Sequence, residues 1–348
     1  MNSLCRGQAH SAPKQIRCLR GSDTRCFSLL ANWLMALLAF SLVGASAAAD
    51  VYPSRPIKLI APYSAGGPGD TSGRLMAEAL GRQLNQAVVV ENRTGAGGVI
   101  GTEAVLHSEP DGYTLLVSAA ATFTVIPAGK KVAYDPEKDF VPLGQTWYAA
   151  QALVVNPKSD FKTVADLIAY AKANPDKVSF GSAGNGTTTH LSMGMLSQEA
   201  GVRLVHIPYR STSQSVVHVL GGQINAIFGD ISTVAPQVKA GMLTALAVTG
   251  AERSPLLPNV PTTAEVGLPG IKTVNWFGIH APAKTPPAIL DRLKAAVKAA
   301  QLDPTYKAAL TKLSNSTGTV GAEAFAEMIH QEIQRLYPVV RSMGIRFD

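Results

Sequence analysis

The stretch IKLIAPYSAGGPGDTSGRLMAEALGRQL, residues 57–84, decides the fold class because it changes pattern twice. Residues 57–62 are rich in β-formers, and residues 62–70 form a loop that contains three glycines. The rest carries one broad apolar stripe, made of Leu75, Met76, Ala79, Leu80 and Leu84. Such a stripe is expected on a helix that lies against a sheet. The stretch therefore predicts a strand, a glycine loop and a helix, the repeating unit of an α/β protein.

The same alternation continues along the chain. Strands are predicted at 87–91, 114–118, 153–156, 178–181, 204–209, 224–228, 243–248 and 274–280. Helices are predicted at 99–107, 164–173, 191–200, 214–220, 233–240, 287–301, 304–313 and 322–337. We therefore predict two α/β lobes, residues 50–150 with 252–348 and residues 151–251. Crossovers near Leu153–Asn156 and near Thr249 would join them.

The first 49 residues have the pattern of an export signal. A basic segment precedes an apolar run from Phe27 to Val43 and the small residues 45–49. The run is shorter than the ~20 apolar residues that a spanning helix needs, so an uncleaved anchor is the less favoured alternative. We expect cleavage after Ala47 or Ala49 and a location in the periplasm.

Composition excludes several classes of protein once residues 1–49 are set aside. The three cysteines, Cys5, Cys18 and Cys26, all precede the apolar run, so the mature chain is expected to hold no disulfide and no cysteine-bound metal. Removing the signal leaves 26 Lys and Arg against 23 Asp and Glu, a net charge of +3 instead of +7. The basic residues are scattered, which argues against nucleic-acid binding. We expect a monomer.

Two glycine-rich loops lie between a predicted strand and a predicted helix. We call residues 62–70 the first glycine loop and residues 181–190 the second glycine loop. Amides in the first turn of a helix lack partners and carry the positive end of the helix dipole, so they can hold a carboxylate or phosphate. Neither loop contains Lys or Arg, so amides and hydroxyls would do the holding. The alternative is a pair of ordinary tight turns with Asp70 and a threonine as N-caps.

Three charged or titratable residues have two interpretations each. Asp230, which ends a strand ahead of a helix, is either an N-cap or a cleft residue that favours a ligand with an amine or hydroxyl. Arg210, after a strand, is either near the ligand or a solvated loop arginine. His190 is either a polar surface residue or part of the cleft.

The sequence gives little support to cofactor binding or catalysis. Residues 92–101 resemble a dinucleotide fingerprint, but Ile100 stands where the third glycine is needed, so we expect no cofactor. No G-x-S-x-G elbow or phosphate-binding P-loop occurs, and the histidines of the mature chain show no HxH or HExxH spacing. We therefore expect no metal and no enzymatic activity.

An ordered series of motifs resembles the Bordetella-type uptake proteins, the periplasmic receptors of tripartite tricarboxylate transporters. The series comprises the first glycine loop, residues 90–98, Pro110-Asp111-Gly112-Tyr113-Thr114, Val155-Asn156-Pro157, residues 181–191, Pro208-Tyr209-Arg210 and Val260-Pro261-Thr262 with Glu265 and Gly267. It extends from about Tyr52 to the carboxyl end. One departure is Arg210, where the family more often has lysine.

The resemblance implies a periplasmic-binding-protein type II fold, with two α/β lobes joined by crossover strands that close on a ligand without catalysis. It implies that the two glycine loops hold a small carboxylate through backbone amides, and that membrane transporter subunits are partners. The candidate ligand-binding residues are Tyr63, Ser64, Ala65, Gly66, Gly67, Asp70, Ser182, Ala183, Gly184, Asn185, Gly186, Thr187, Thr188, His190, Arg210 and Asp230. The alternatives are a ligand-sensing receptor without transport and, less favoured, a secreted α/β hydrolase.

Overall fold

The structure is a computed structural model that describes residues 52–312, 316–317 and 320–343. The expected export signal, its cleavage after Ala47 or Ala49, and the three cysteines lie outside the described residues. Within the described ranges, no helix combines the length and the apolar character that a membrane span requires.

Ten strands and ten α-helices make up the described part of the chain. The strands are β1 Ile57–Ala61, β2 Val88–Asn92, β3 Thr114–Ala119, β4 Phe140–Val155, β5 Ser179–Ser182, β6 Val205–Pro208, β7 Ala226–Asp230, β8 Thr244–Val248, β9 Val274–Pro282 and β10 Ser316–Thr317. The helices are α1 Pro68–Leu84, α2 Val99–Leu106, α3 Ile126–Gly129, α4 Val164–Ala173, α5 Thr188–Ala200, α6 Thr212–Leu220, α7 Ile231–Lys239, α8 Pro287–Leu302, α9 Pro304–Lys312 and α10 Ala322–Ser342. A 3-10 turn at Ala96–Gly98 and a π-helical turn at Ala121–Val125 precede α2 and α3.

The strands form two groups, each with three parallel strands, and one long antiparallel strand is common to both. The order across the sheet is β2-β1-β3-β9-β4-β7-β5-β6, and β8 and β10 also pair with β4. β1 is parallel to β2 and β3, and β5 is parallel to β6 and β7. β4 pairs antiparallel with β9 through residues 140–150 and with β7 and β8 through residues 151–155. One strand therefore belongs to both groups.

Each group of strands has its own apolar core. Leu59, Leu80 and Trp147 pack in a cluster built on β1, β3 and β9, whereas Leu153 and Phe228 pack in a cluster built on β4, β7 and α5. β4 changes from one core to the other along its length. Burial of apolar surface at about 25 cal/mol per Å² makes these cores the main source of stability.

α10 contacts both groups. Phe325 and Ile329 in its amino-terminal half pack with Trp276 and Phe123, whereas Leu336 and Val340 in its carboxyl half belong to the core that contains Leu153 and Phe228. The last long helix therefore packs against both groups of strands.

The predicted elements are all present, but the first half of β4, the π-helical turn and the short elements at Ala96–Gly98, Ile126–Gly129 and Ser316–Thr317 were not predicted. β4 begins at Phe140 and not at Leu153, because irregular register after Pro142 and after Gln145 breaks the two-residue alternation on which strand prediction depends. The π-helical turn at residues 121–125 lies in a continuous apolar run, where periodicity gives no signal.

Candidate functional site

The carboxyl ends of both parallel groups meet at the middle of β4. Ala119, which ends β3, pairs with Phe277, which in turn pairs with Trp147 of β4. Asp230, which ends β7, pairs with Gln151 of β4. The two groups therefore end at Trp147 and at Gln151, four residues apart on β4, which is about 13 Å at ~3.3 Å per residue. The loops that follow these strands therefore open onto the same short section of β4.

The helices that follow the two glycine loops begin on the same face of this section. Side chains alternate along a strand, so Trp147 and Gln151 share a face. The first turn of α1 lies against Phe277, because a Cβ on Gly69 would come within 2.8 Å of that ring. The first turn of α5 bonds to Gln151, which donates from Nε2 to the Thr188 hydroxyl at 3.1 Å. The N-termini of α1 and α5 therefore lie on the same face of the sheet, on either side of the middle of β4.

Asp70 holds the first glycine loop. Its carboxylate accepts hydrogen bonds from the Gly66 amide at 2.8 Å, Asn92 Nδ2 at 2.7 Å and Arg74 Nε at 3.0 Å. Burial acts to raise the pKa of Asp70, but these bonds lower it overall. Asp70 is not the N-cap, because α1 begins at Pro68 and Gly67 occupies the cap position. The N-cap interpretation of Asp70 is therefore wrong, and its charge is balanced within the chain.

The tip of the first glycine loop presents unpaired amides. Ser64, Ala65 and Gly66 are exposed. The Gly67 amide bonds to the Ser64 carbonyl at 3.1 Å, whereas the amides of Ser64 and Ala65 meet no acceptor among the described residues. These two amides are the groups that the loop can offer to a ligand.

Tyr63 supports this loop with its ring. The ring packs edge-on against Phe277 at 5.4 Å between centroids, and a Cβ on Gly69 would lie 2.3 Å from Tyr63 Cδ2. The hydroxyl is buried without a hydrogen-bond partner in the described part of the chain, and burial raises the pKa of Tyr63. A ligand contact by this hydroxyl stays a prediction.

Internal hydrogen bonds use most hydroxyls of the second glycine loop. Ser182 is buried and accepts from the Gly184 amide at 3.0 Å, and Thr187 donates to the Gly184 carbonyl at 2.8 Å. Thr189, which sequence analysis did not select, accepts from the Ala183 amide at 2.9 Å. Thr187 is the N-cap of α5 but makes no side-chain capping bond. These hydroxyls shape the loop.

The first turn of α5 keeps its amides available. Within residues 52–312, the amides of Thr188, Thr189 and His190 bond to no acceptor, as expected for the first turn of a helix. Thr188 itself is buried, and its hydroxyl bonds to Gln151. Gly186 and Gly184 have φ of +72° and +123°, so they supply the left-handed turns that bring this helix end to the strand.

His190 lies behind the second glycine loop. Its Nδ1 accepts a hydrogen bond from the Gly186 amide at 3.3 Å, and its ring stacks on His206 at 3.8 Å between centroids. Burial lowers the pKa of both histidines to about 4. Both rings, with Asn185, border a cavity of about 590 Å³ that runs along α5 to Val202. This cavity extends away from the facing helix ends.

Arg210 and Asp230 lie at the carboxyl ends of β6 and β7. Arg210 is exposed beyond the edge strand of the sheet, and its guanidinium forms no ion pair with any described residue. Asp230 is buried at the N-cap position of α7, makes no capping bond, and accepts from Asn275 Nδ2 at 3.3 Å. Burial raises the pKa of Asp230 to about 6. Asp230 therefore occupies the predicted N-cap position, but its side chain does not cap the helix.

The loop that resembles a dinucleotide fingerprint supports the first glycine loop. Asn92 donates to the Tyr63 carbonyl at 3.0 Å and to Asp70. A Cβ on Gly98, whose φ is +102°, would lie 2.7 Å from Thr122 Cγ2. Its glycines therefore serve close packing. Among the described residues, no three His, Cys, Asp or Glu side chains are grouped as a metal site would need.

We call the face of β4 and β9 between the starts of α1 and α5 the floor of the cleft. Sequence analysis missed two of its polar residues, Gln151 and Asn275. Each is an amide side chain in an otherwise apolar strand, within AAQALVV and VNWFGIH. A buried amide in a strand needs a partner, so these interruptions were the available signal.

Comparison with known proteins gives one consistent result. The chain matches the family described as "Tripartite tricarboxylate transporter family receptor" over residues 73–345. BugT of Bordetella pertussis is 34% identical over 314 residues, which cover 89% of this chain and 95% of BugT. Solved periplasmic transport and binding proteins share the fold, which confirms the predicted fold class.

Two of the matching structures contain ligands. A Rhodopseudomonas palustris protein with adipate is 29% identical, with a TM-score of 0.75, and the match covers 84% of this chain and 99% of that one. MatC from Rhodopseudomonas palustris with bound malate is 30% identical, with a TM-score of 0.74, and the match covers 83% and 100%.

Proposed function

Because the chain belongs to the tripartite tricarboxylate transporter receptor family, we propose that it is an extracytoplasmic receptor that captures a small organic carboxylate between its two glycine loops. It binds without catalysis and delivers its ligand to membrane subunits of a transporter. The ligands of the two Rhodopseudomonas palustris relatives, adipate and malate, support a carboxylate.

One observation carries this proposal: the starts of α1 and α5 lie on the same face of the middle of β4, with available amides in the first glycine loop and in the first turn of α5. Each offers partial positive charge worth about 0.3–1 kcal/mol to an anion at an exposed site, and up to ~2 kcal/mol in a partly buried one. Neither glycine loop contains a cation, and the nearby Arg74 is paired with Asp70. Backbone amides are therefore the groups that suit the two ends of a carboxylate ligand.

The cleft closes by rotation of two lobes, residues 50–150 with 252–348 and residues 151–251. β4 passes through both groups of strands, which supports its role as one connection. The second predicted crossover, near Thr249, falls in the segment between β8 and β9. Measured by small-angle X-ray scattering, the radius of gyration should fall when a saturating carboxylate is added. An unchanged radius would contradict closure.

A thermal-shift screen of carboxylates tests ligand binding. A ligand at 100 times its dissociation constant should stabilise the protein by ~2.7 kcal/mol. The variant Gly184→Leu should lose this stabilisation because a side chain would stand where the loop approaches the ligand. Gly222→Leu is the matched control, since Gly222 also has positive φ but lies after α6 with open space around it. Full affinity in Gly184→Leu would contradict amide capture.

The Ser182–His206 pair makes a hydrolase the second candidate. Ser182 Oγ lies 2.6 Å from His206 Nε2, within the reach of a nucleophile and its base. Ser182 is fully buried and bonds to the Gly184 amide, which favours a structural role. Hydrolysis of p-nitrophenyl acetate that disappears in His206→Gln would favour the hydrolase. Sensing without transport is distinguished by whether uptake of the ligand by cells needs this receptor.

A further inference from the structure

We propose that Asp230 selects the ligand by accepting a hydrogen bond from a hydroxyl or ammonium group that the carboxylate ligand carries. The inference rests on the proposed function, because it concerns the same cleft. It names the chemical class of the ligand: a small carboxylate with a hydrogen-bond donor on its carbon skeleton.

Asp230 belongs to the floor of the cleft. It pairs with Gln151, and Asn275 pairs with Ala149, two residues earlier on β4. Residues directly opposite each other in an antiparallel pair point to the same face. Asp230 and Asn275 therefore share the face on which α1 and α5 begin, between the two helix N-termini.

The Asp230 carboxylate lacks a full set of donors. The residue is 4% exposed. Its Oδ2 accepts from Asn275, whereas Oδ1 is buried and has no hydrogen-bond partner of regular geometry in the part of the chain that the structure describes. The Gln151 side chain opposite acts on the pKa of Asp230 as a donor would, but its Nε2 already donates to Thr188. No described Lys or Arg forms an ion pair with it. Buried polar atoms are almost always paired, so a group from outside the chain is the expected donor to Oδ1.

The two features of the cleft select different parts of one ligand. The helix N-termini favour carboxylate groups, whereas Asp230 repels an anion and favours a donor. An unsubstituted dicarboxylate satisfies only the first requirement and leaves Oδ1 unpaired. A 2-hydroxy or 2-amino derivative satisfies both.

The experiment uses isothermal titration calorimetry of the exported protein with nine probes. These are butanedioate, hexanedioate and benzoate, each unsubstituted, with a 2-hydroxyl group and with a 2-amino group. We expect at least one donor-bearing derivative to bind at least tenfold more tightly than its parent. Equal affinity within every set, with binding retained, overturns the role of Asp230 and leaves the receptor function standing. Absence of binding by all nine overturns the carboxylate receptor itself.

The variant Asp230→Asn tests the residue directly. Its preference for the ammonium derivative should fall at least tenfold while affinity for the parent compound stays the same or rises. Asp291→Asn, which removes the same charge from the exposed face of α8, should retain the wild-type preference. An unchanged preference in Asp230→Asn means that an ordered water is the only partner of Oδ1, and overturns the proposal. If Asp230→Asn does not fold, the proposal is judged on the wild-type protein alone, by the ratio of each derivative's affinity to that of its parent compound.

Discussion

Gln151 donates from Nε2 to the Thr188 hydroxyl at 3.1 Å, and this bond ties the first turn of α5 to the strand shared by both groups of strands. Gln151 Oε1 also accepts from the hydroxyls of Ser192 and Thr273. One buried amide therefore connects β4, α5 and the segment that leads into β9. The position of the second glycine loop depends on this connection.

Replacement Gln151→Leu should reduce both stability and ligand affinity. It would leave the buried Thr188 and Ser192 hydroxyls without this partner, at a cost of about 1–3 kcal/mol in the free energy of unfolding. Urea denaturation measures this cost. Gln198→Leu is the control, because Gln198 is exposed on the same helix and its side chain donates to the exposed Ser342. Equal stability of the two variants would contradict the role of Gln151.

Replacement Asp70→Asn should destabilise the first glycine loop. An amide cannot accept from Gly66, Asn92 and Arg74 as the carboxylate does, and the expected loss is about 1–3 kcal/mol in the free energy of unfolding. Amide hydrogen exchange should show faster exchange at Gly66. Asp176→Asn removes an acid from the exposed pair with Arg203 and should leave exchange unchanged.

Replacement Gly69→Ala should weaken ligand binding more than it weakens the fold. The added Cβ would press on the rings of Tyr63 and Phe277, which support the first glycine loop. We expect affinity to fall about tenfold, which corresponds to ~1.4 kcal/mol. Gly321→Ala, at an N-cap with open space around it, should bind normally. Wild-type affinity in Gly69→Ala would show that the loop does not need this packing.

Acid should destabilise the protein partly through His206. Burial lowers its pKa to about 4, below the ordinary value near 6.5, so the unfolded state binds more protons between these values. The stability contributed by neutral His206 is therefore lost as pH falls from about 6.5 to 4. His206→Gln should reduce this loss by about 1–2 kcal/mol after allowance for solvent screening.

The control for this pH dependence is His330→Gln. Glu137 raises the pKa of His330, so that pair contributes stability below about pH 6.5 and loses it as pH rises. Removing His330 should therefore change the slope in the opposite direction. Denaturant unfolding at pH 7 and pH 4.5 measures both. The same slope in wild type and His206→Gln would contradict the assignment.

Replacement Arg210→Gln should slow association of a dicarboxylate without abolishing binding. The guanidinium is exposed at the carboxyl end of β6, so it attracts an approaching anion from a distance, and dissolved salt weakens this attraction. Stopped-flow fluorescence should show a several-fold lower association rate at low salt and a smaller difference at high salt. A large change in dissociation rate would instead indicate direct contact with bound ligand.

The fold was largely predictable because residues 57–84, and the strand–helix alternation that follows them, show the two-residue period of strands and the 3.6-residue period of helices. β4 was underestimated because Pro142 and Gly144 lie at irregular register and hide its first half. The two glycine loops were recognisable from composition and position. What could not be predicted was how their side chains are used, since Ser182 and Asp70 bond within the loops and only the folded arrangement reveals it. Gln151 and Asn275 are visible as amides within apolar strands, but their meeting in the cleft depends on strand register, which pattern does not supply.

The path of α10 has a consequence for how tightly any ligand is held. Its two halves are seated in different cores, and Pro338 cannot donate a backbone hydrogen bond within its carboxyl half. Movement of one group of strands against the other must bend this helix, or change its packing, as well as bend the shared strand β4. In the proposed closure, the resistance to movement is therefore set partly at a surface remote from the ligand. Substitutions along α10 should therefore change how long the closed receptor holds its ligand, even when every contact with that ligand stays the same.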